Sequence, residues 1–283
     1  MRTARYTMLI MVGVFLARFS GCTWNPFGED EISSGHRQIR GTVQLHDGSS
    51  PEGVYVWLDG FNIGDYTDGT GQFKLILPAE SSHGSSSVVS GIYSVYFYIA
   101  NYGLDSAQVV VQDGEFVYSR GDINKDGKVY APMVMRSFLR INTSVEPLSV
   151  SANYTGNIEV KVTLTAMFDS ATVVVPKSIG GMLGAILLKK SDSQTVTIFT
   201  SAPYIETRAA ILVGKVGRTI GMTFNFINRP LDPGTYEVVP YLLIAHEPIP
   251  EDLMESLGPN AEELGPDYLN IPFRREGGQF DVK

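Results

Sequence analysis

Cysteine is almost absent from this chain: Cys22 is the only one among 283 residues. A disulfide-stabilised domain needs cysteines in pairs, so a disulfide framework within the chain is excluded. Histidine is also sparse, and its four positions show neither the H-x-H nor the H-E-x-x-H spacing of a metal site. The histidines are His36, His46, His83 and His246.

Catalytic motifs are missing as well. The serines near His83 lie in a polar insertion, residues 80–87, which reads as a mobile surface loop. Such a loop does not hold a base within hydrogen-bond reach of a nucleophile. The paired acids are interpreted as solvated charge; they are Glu251–Asp252 and Glu262–Glu263. The sequence predicts a protein that is not an enzyme, with a site assembled across a domain junction as the remaining catalytic alternative.

The most prominent long apolar run is residues 6–17, which is too short to span a bilayer. Arginines precede it, and Phe19-Ser20-Gly21 leads from it to Cys22. This arrangement is typical of an export signal. It resembles the bacterial lipoprotein signal, which implies cleavage after residue 21 and acyl chains on Cys22. A non-cleaved signal anchor with an incidental cysteine is the alternative.

The lipoprotein resemblance predicts a mature chain that begins at Cys22, followed by a flexible tether over residues 22–37. Removing residues 1–21 takes away three arginines and no acid, so the mature chain is more acidic than the formal charge of −8. An acidic surface is expected to attract neither nucleic acid nor anionic lipid through its charge. Attachment to a membrane is then expected through acyl chains on Cys22. Thr23, in the position after the cysteine, favours the outer membrane if the host has one.

From residue 38 onward the chain is rich in short alternating apolar runs separated by glycine, proline and aspartate turns. Helical periodicity is nearly absent, and only residues 251–257 are expected to form a short helix. This pattern indicates antiparallel β-sandwiches. The remaining length suits two domains, and we place them at residues 38–136 and 137–283.

The first domain has a specific resemblance. Its motifs are G-x-V, D-G-x-x-P-x-x-G-V-x-V-x-L and T-D-x-x-G-x-F-x-L-x-L-P, which resemble the carboxypeptidase regulatory-like domain. That family implies a prealbumin-like sandwich and no chemistry. The matching residues are Gly41, Val43, Asp47, Gly48, Pro51, Gly53, Val54, Val56, Leu58, Thr67, Asp68, Gly71, Phe73 and Pro78.

In the second domain, the segment Leu231-Asp-Pro-Gly-Thr-Tyr236 followed by an alternating strand resembles the tyrosine corner of immunoglobulin-like sandwiches. The resemblance implies that Tyr236 hydrogen-bonds to the backbone at the corner. Strands are also expected around residues 139–142, 158–164, 172–175, 195–199 and 222–227. Residues 280–283 would form a last edge strand, and the apolar segment 179–188 a buried strand or loop.

Two features raise the question of a ligand. Tyr96, Tyr98 and Tyr102 share one predicted face, and a row of exposed aromatic rings would stack on sugars. The alternative is that the other sheet and the neighbouring domain cover both faces of this strand. A carbohydrate-binding surface protein is therefore the second functional hypothesis.

The other feature is residues 121–130, GDINKDGKVY, which resembles the start of a calcium loop and half a dockerin repeat. Asp122, Asn124 and Asp126 would supply side-chain oxygens and Lys128 its carbonyl. The twelfth position, which needs a carboxylate, is Met133. The preferred interpretation is a turn between strands at residues 115–119 and 128–131, with a weak calcium site as the alternative and no other cofactor.

The leading hypothesis is an exported, lipid-anchored cell-envelope protein of two β-sandwich domains. It would act as a non-catalytic binding or structural module. Its partner in the envelope, protein or glycan, is not specified by the sequence.

Overall fold

The computed structural model describes residues 36–78, 90–177, 182–201, 207–245 and 248–283. The expected signal, Cys22, the tether up to residue 35 and the polar insertion at 80–87 lie outside these residues. About 50% of the structure is strand and about 5% is helix, which confirms the all-β prediction. The expected short helix is also present, as α1 (Glu251–Leu257).

Eight strands come from the first part of the chain. They are β1 (Gln38–Leu45), β2 (Tyr55–Leu58), β3 (Ile63–Tyr66), β4 (Gln72–Ile76), β5 (Gly91–Tyr98), β6 (Asp105–Gln112), β7 (Glu115–Phe116) and β8 (Met133–Met135). They form a five-stranded sheet in the order β3-β2-β5-β6-β7 and a three-stranded sheet in the order β4-β1-β8. Alternate side chains of both sheets meet in one hydrophobic cluster, which we name the first core.

Twelve strands follow. They are β9 (Leu139–Glu146), β10 (Ser149–Val150), β11 (Ile158–Ala166), β12 (Ser170–Pro176), β13 (Ala185–Lys190), β14 (Val196–Thr200), β15 (Arg208–Gly214), β16 (Arg218–Phe224), β17 (Gly234–Pro240), β18 (Leu243–Ile244), β19 (Glu276–Gly277) and β20 (Gln279–Val282). Their sheet orders are β10-β20-β17-β13-β14, β16-β11-β9-β19 and β15-β12-β18. Their apolar faces, α1 and the 3-10 helix Pro266–Asn270 enclose a second cluster, the second core.

Three local features have the geometry that their residue types favour, and the last of them was predicted from the sequence. Asp68 Oδ1 accepts hydrogen bonds from the backbone N–H groups of Thr70, at 2.8 Å, and Gln72, at 2.9 Å. Gly71 in the same turn has a φ of 79°, which a side chain would strain. The phenol of Tyr236 donates to the carbonyl of Asp232 at 2.8 Å, as expected for a tyrosine corner.

Two details of the strand predictions are wrong. Residues 280–283 do not form an edge strand, because β20 lies between β17 and the short β10, which pairs with it in parallel. The strands expected around the GDINKDGKVY turn are also shorter. β7 covers two residues, and Lys128 and Val129 make only single bridges, to Arg40 and Ile123.

Strand β2 and the last half of β5 have both faces buried or partly buried. Val56 and Leu58 enter the first core, whereas Tyr55 and Trp57, which alternate with them, belong to the second core. All four side chains of β2 are no more than 6% exposed. The five-stranded sheet therefore belongs to two cores at once, and residues His36–Lys283 form one compact unit.

This shared sheet predicts that the two cores unfold together. Trp57→Ala removes a side chain that is 1% exposed and leaves a cavity, which should lower the free energy of unfolding by about 3–5 kcal/mol. Guanidinium unfolding followed by circular dichroism should show one transition in both proteins. Ile92→Ala is the matched control on β5, since Ile92 is 72% exposed, and should cost less than about 0.5 kcal/mol. A second, separate transition in the wild type would contradict the shared core.

Candidate functional site

The polar centre of the junction between the two cores is Asn101, which is 2% exposed and follows the end of β5. Its amide nitrogen donates to the carbonyl of Leu139, at 2.9 Å, and to that of Arg274, at 3.0 Å. Its side-chain oxygen accepts from the backbone N–H of Arg274 at 2.9 Å. One buried side chain thus joins three segments that are far apart in the sequence.

Backbone groups beside Asn101 extend this network. The N–H of Ala100 donates to the carbonyl of Pro272 at 2.8 Å, and the carbonyl of Asn101 accepts from the N–H of Phe138 at 3.1 Å. The phenol of Tyr55 lies 2.9 Å from the hydroxyl of Ser256 in α1. Buried polar groups are stable when they are paired in this way.

A second interaction at the junction links Tyr102 and Asp47, with 2.5 Å between the phenol oxygen and Oδ2. Burial raises the pKa of Tyr102 to about 12, and the hydrogen bond to Asp47 adds to this. Burial alone would raise the pKa of Asp47, but hydrogen bonds from Tyr102 and Ser49 outweigh it, so the pKa of Asp47 is lowered. At neutral pH the phenol is therefore the donor and the carboxylate the acceptor.

These residues border a cleft of about 160 Å³. Its charged and phenolic lining is Asp47, Tyr102, Arg140, Arg274, Arg275 and Glu276. Burial lowers the pKa of Arg274, although Tyr102, Glu52 and Asp47 oppose this. Arg140 and Glu276 form an ion pair with 3.7 Å between Nε and Oε1, both more than half exposed. The cleft is smaller than the roughly 300–1,000 Å³ typical of ligand pockets.

The cleft brings charged side chains together, but its described lining contains no nucleophilic side chain beside a general base. The hydroxyl of Ser137 points to backbone carbonyls, 3.3 Å from that of Leu139, and no histidine lines the cleft in the described residues. Within the same residues, no group of three or more histidine, cysteine, aspartate or glutamate side chains could hold a metal. The described helices are also too short or too polar to cross a membrane.

The predicted tyrosine face is not an exposed platform. Tyr98 is 3% exposed and lies in the second core, whereas Tyr102 is 1% exposed and lies in the first core. A turn explains the separation: the N–H of Tyr102 donates to the carbonyl of Ile99 at 2.9 Å, which reverses the chain and ends the alternation of β5. Tyr96 is partly buried, and its ring stacks on Trp57 with 6.1 Å between centroids. The hypothesis that these rings bind sugars as one row is therefore wrong.

Three of the four candidate calcium ligands, Asp122, Asn124 and Lys128, have an oxygen that accepts a backbone hydrogen bond. Asn124 Oδ1 accepts from the N–H groups of Asp126, at 2.8 Å, and Lys128, at 2.9 Å. Asp122 Oδ2 accepts from the N–H of Gln108 at 2.6 Å, and the carbonyl of Lys128 accepts from the N–H of Asn124. Gly127 has a φ of 70°. This geometry is that of a turn whose side chains bind main-chain donors.

The histidines and acid pairs considered in the sequence analysis do not line the cleft in the described residues. His36 and His46 are exposed, and His83 and His246 lie outside the described residues. Both acid pairs, at residues 251–252 and 262–263, are exposed. Asn101 and Arg274 were not predicted as junction residues. They are 173 positions apart, and neither belongs to a sequence pattern that would have indicated their contact.

Comparison with known proteins finds no family and two weakly similar solved structures. No family model matches the chain, and no curated protein matches it. Two solved structures share 12% sequence identity with it. The major pilin subunit of Bacillus cereus, BcpA, has a TM-score of 0.24, with 71% of this chain and 63% of the pilin covered. The Bacillus anthracis TIE protein has a TM-score of 0.21, with 87% of this chain and 34% of that protein covered. The lipoprotein and carboxypeptidase regulatory-like resemblances stay predictions.

Removing the central amide should weaken the junction. Asn101→Ala leaves the buried backbone groups of Leu139 and Arg274 without their partner, so we expect a loss of about 3 kcal/mol in the free energy of unfolding. Urea denaturation measures this loss. Asn157→Ala, at an exposed asparagine, is the control and should change stability by less than about 0.5 kcal/mol. An equal effect of the two changes would contradict the role given to Asn101.

The turn geometry also predicts no stabilisation by calcium. A bound ion would have to take Asn124 Oδ1 away from two backbone donors, and Met133 offers no carboxylate. The melting temperature should be the same in millimolar calcium and in a chelator. A calcium-dependent rise of several degrees that Asp126→Ala abolishes would establish the metal site instead.

Proposed function

We propose that this chain is an exported, non-catalytic structural or binding module of the cell envelope, held at a membrane by acyl chains on Cys22. The observation that carries the structural part is the burial of both faces of β2 and of the last half of β5. A sheet shared by two cores resists hinge motion, because any rotation would expose Tyr55 and Trp57 to water. Such a unit is suited to hold a binding surface at a fixed position.

The polar junction supports the same function. The hydrogen bonds of Asn101, Ala100 and Tyr55 connect the two cores. The cleft beside them is small, and one of its two acids, Asp47, accepts a hydrogen bond from Tyr102. Residues of this kind in this arrangement fix a geometry and do not perform chemistry on a substrate.

The anchoring part is supported by the position of Cys22. It is the only cysteine, and it directly follows a positively charged, apolar and small-residue segment of the export type. Stable attachment needs more than one acyl chain, which is what a lipoprotein signal would supply. Thr23 favours sorting to the outer membrane in a host that has one.

Acylation is tested in a bacterial host by growing it with a clickable fatty acid. The full chain should take up the label and sediment with membranes, and Cys22→Ser should lose the label, because serine offers no thiol for the acyl transfer. Thr23→Ser is the matched control beside the cysteine and should keep the label. Intact mass measurement of the purified protein showing no acyl group on Cys22 would sink the anchoring part and leave the fold untouched.

A further inference from the structure

Two connections between sheets lie side by side in the second half of the chain. One joins β11 to β12, and the other joins β15 to β16. They are neighbours because β11 pairs with β16 in one sheet and β12 pairs with β15 in another, with Leu164 opposite Arg218 and Ser170 opposite Gly214. We name residues 167–170 and 214–218 together the tip. Lys215 Nζ lies 3.8 Å from Asp169 Oδ1, which connects the two turns.

The tip carries apolar side chains that are exposed to water. Val216 is 101% exposed, Phe168 is 53% exposed and Met167 is 38% exposed. Leu212, 66% exposed, lies on β15 just before the tip. Single exposed apolar residues are normal, but a group of them on adjacent turns marks an interaction surface. The full exposure of Val216 means that it projects outward and does not line a groove.

The charge around these side chains is opposite to that of the whole protein. Lys215 and Arg218 are exposed on the tip and Asp169 is its one acid, so the tip is net positive in a chain with a formal charge of −8. The Lys215–Asp169 pair is widely spaced and open to water, so it binds Lys215 weakly. Basic side chains beside projecting apolar ones complement an anionic lipid surface, where both head-group charge and apolar depth are available.

We propose that the tip contacts an anionic lipid bilayer, with Phe168 and Val216 entering the head-group layer and Lys215 and Arg218 facing lipid phosphates. The proposal rests on the proposed function, in which acyl chains on Cys22 keep the chain close to a membrane. The tip would then hold the junction end of the protein against the bilayer and fix its orientation, which acyl chains on a tether do not do.

The test places a polarity-sensitive fluorophore on the tip of the full chain purified from bacterial membranes. In Val216→Cys the introduced thiol is the single reactive one, because an acylated Cys22 has no free thiol. Reconstituted into vesicles of phosphatidylcholine and phosphatidylglycerol, the probe should shift to the blue and be quenched by nitroxide-labelled lipid. Ile92→Cys is the control: it is 72% exposed at the start of β5, the end far from Asn101, and its probe should stay in water.

The charge requirement is tested in the same chain. Lys215→Glu with Arg218→Glu should lower the ratio of inserted to free probe at position 216 about thirtyfold in the anionic vesicles, from the loss of two favourable basic contacts. In vesicles of phosphatidylcholine alone the same changes should have little effect. An unchanged ratio in anionic vesicles would contradict the assignment of Lys215 and Arg218 to lipid phosphates.

The outcomes separate the tip from the anchor. A protein that stays on the vesicles while the probe at 216 remains in water overturns the lipid proposal and leaves acylation intact. If Cys22 reacts with the fluorophore, acylation fails. The tip is then tested with Cys22→Ser chains added to vesicles, where a blue shift at 216 but not at 92 still supports it. A shift that appears without lipid and grows with protein concentration shows that a second copy covers the tip, and it also overturns the proposal.

Discussion

Strands β2 and β5 bury apolar side chains on both faces, and the rest of the structure depends on this constraint. A sheet with one apolar face can bury that face against the second sheet of its own sandwich. Here Val56 and Leu58 fill the first core, while Tyr55 and Trp57 need cover from the second half of the chain. Exposing those two aromatic rings would cost several kcal/mol by their apolar area, roughly 25 cal/mol per Å². Separation of the halves is thus opposed by the same effect that folds each of them.

Apolar burial is not directional, so it does not by itself fix how the two halves meet. Asn101 supplies the direction, because its amide must reach the carbonyls of Leu139 and Arg274 while its oxygen accepts from one N–H. A displacement of the junction would leave these buried groups unpaired, at a cost of about 1–3 kcal/mol each. Burial of apolar area therefore holds the two halves together, and the amide of Asn101 fixes how they meet.

Local patterns in the sequence predicted much of this fold. The alternation in β2, the turn at Asp68 and the corner at Tyr236 depend on neighbours within a few residues, and a single sequence contains that information. The junction depends on Asn101 meeting Arg274, 173 positions away, and no local pattern reports such a contact. Tyr102 shows the limit of alternation: a turn after Ile99 moved its ring to the opposite core, so a face inferred by counting residues was wrong.

Two places where a ligand could be sought, the cleft and the calcium-like turn, have polar groups that already bind within the fold. Asp47 in the cleft accepts from Tyr102, and Asn124 in the calcium-like turn accepts from two backbone N–H groups. A ligand at either place would have to replace an existing bond, which reduces any gain from binding. Projecting side chains such as Val216 and Phe168 have no such bond to lose, and their burial is favourable wherever it occurs. Recognition by this protein is therefore expected on its projecting surfaces, and the concave ones serve to hold the cores in place.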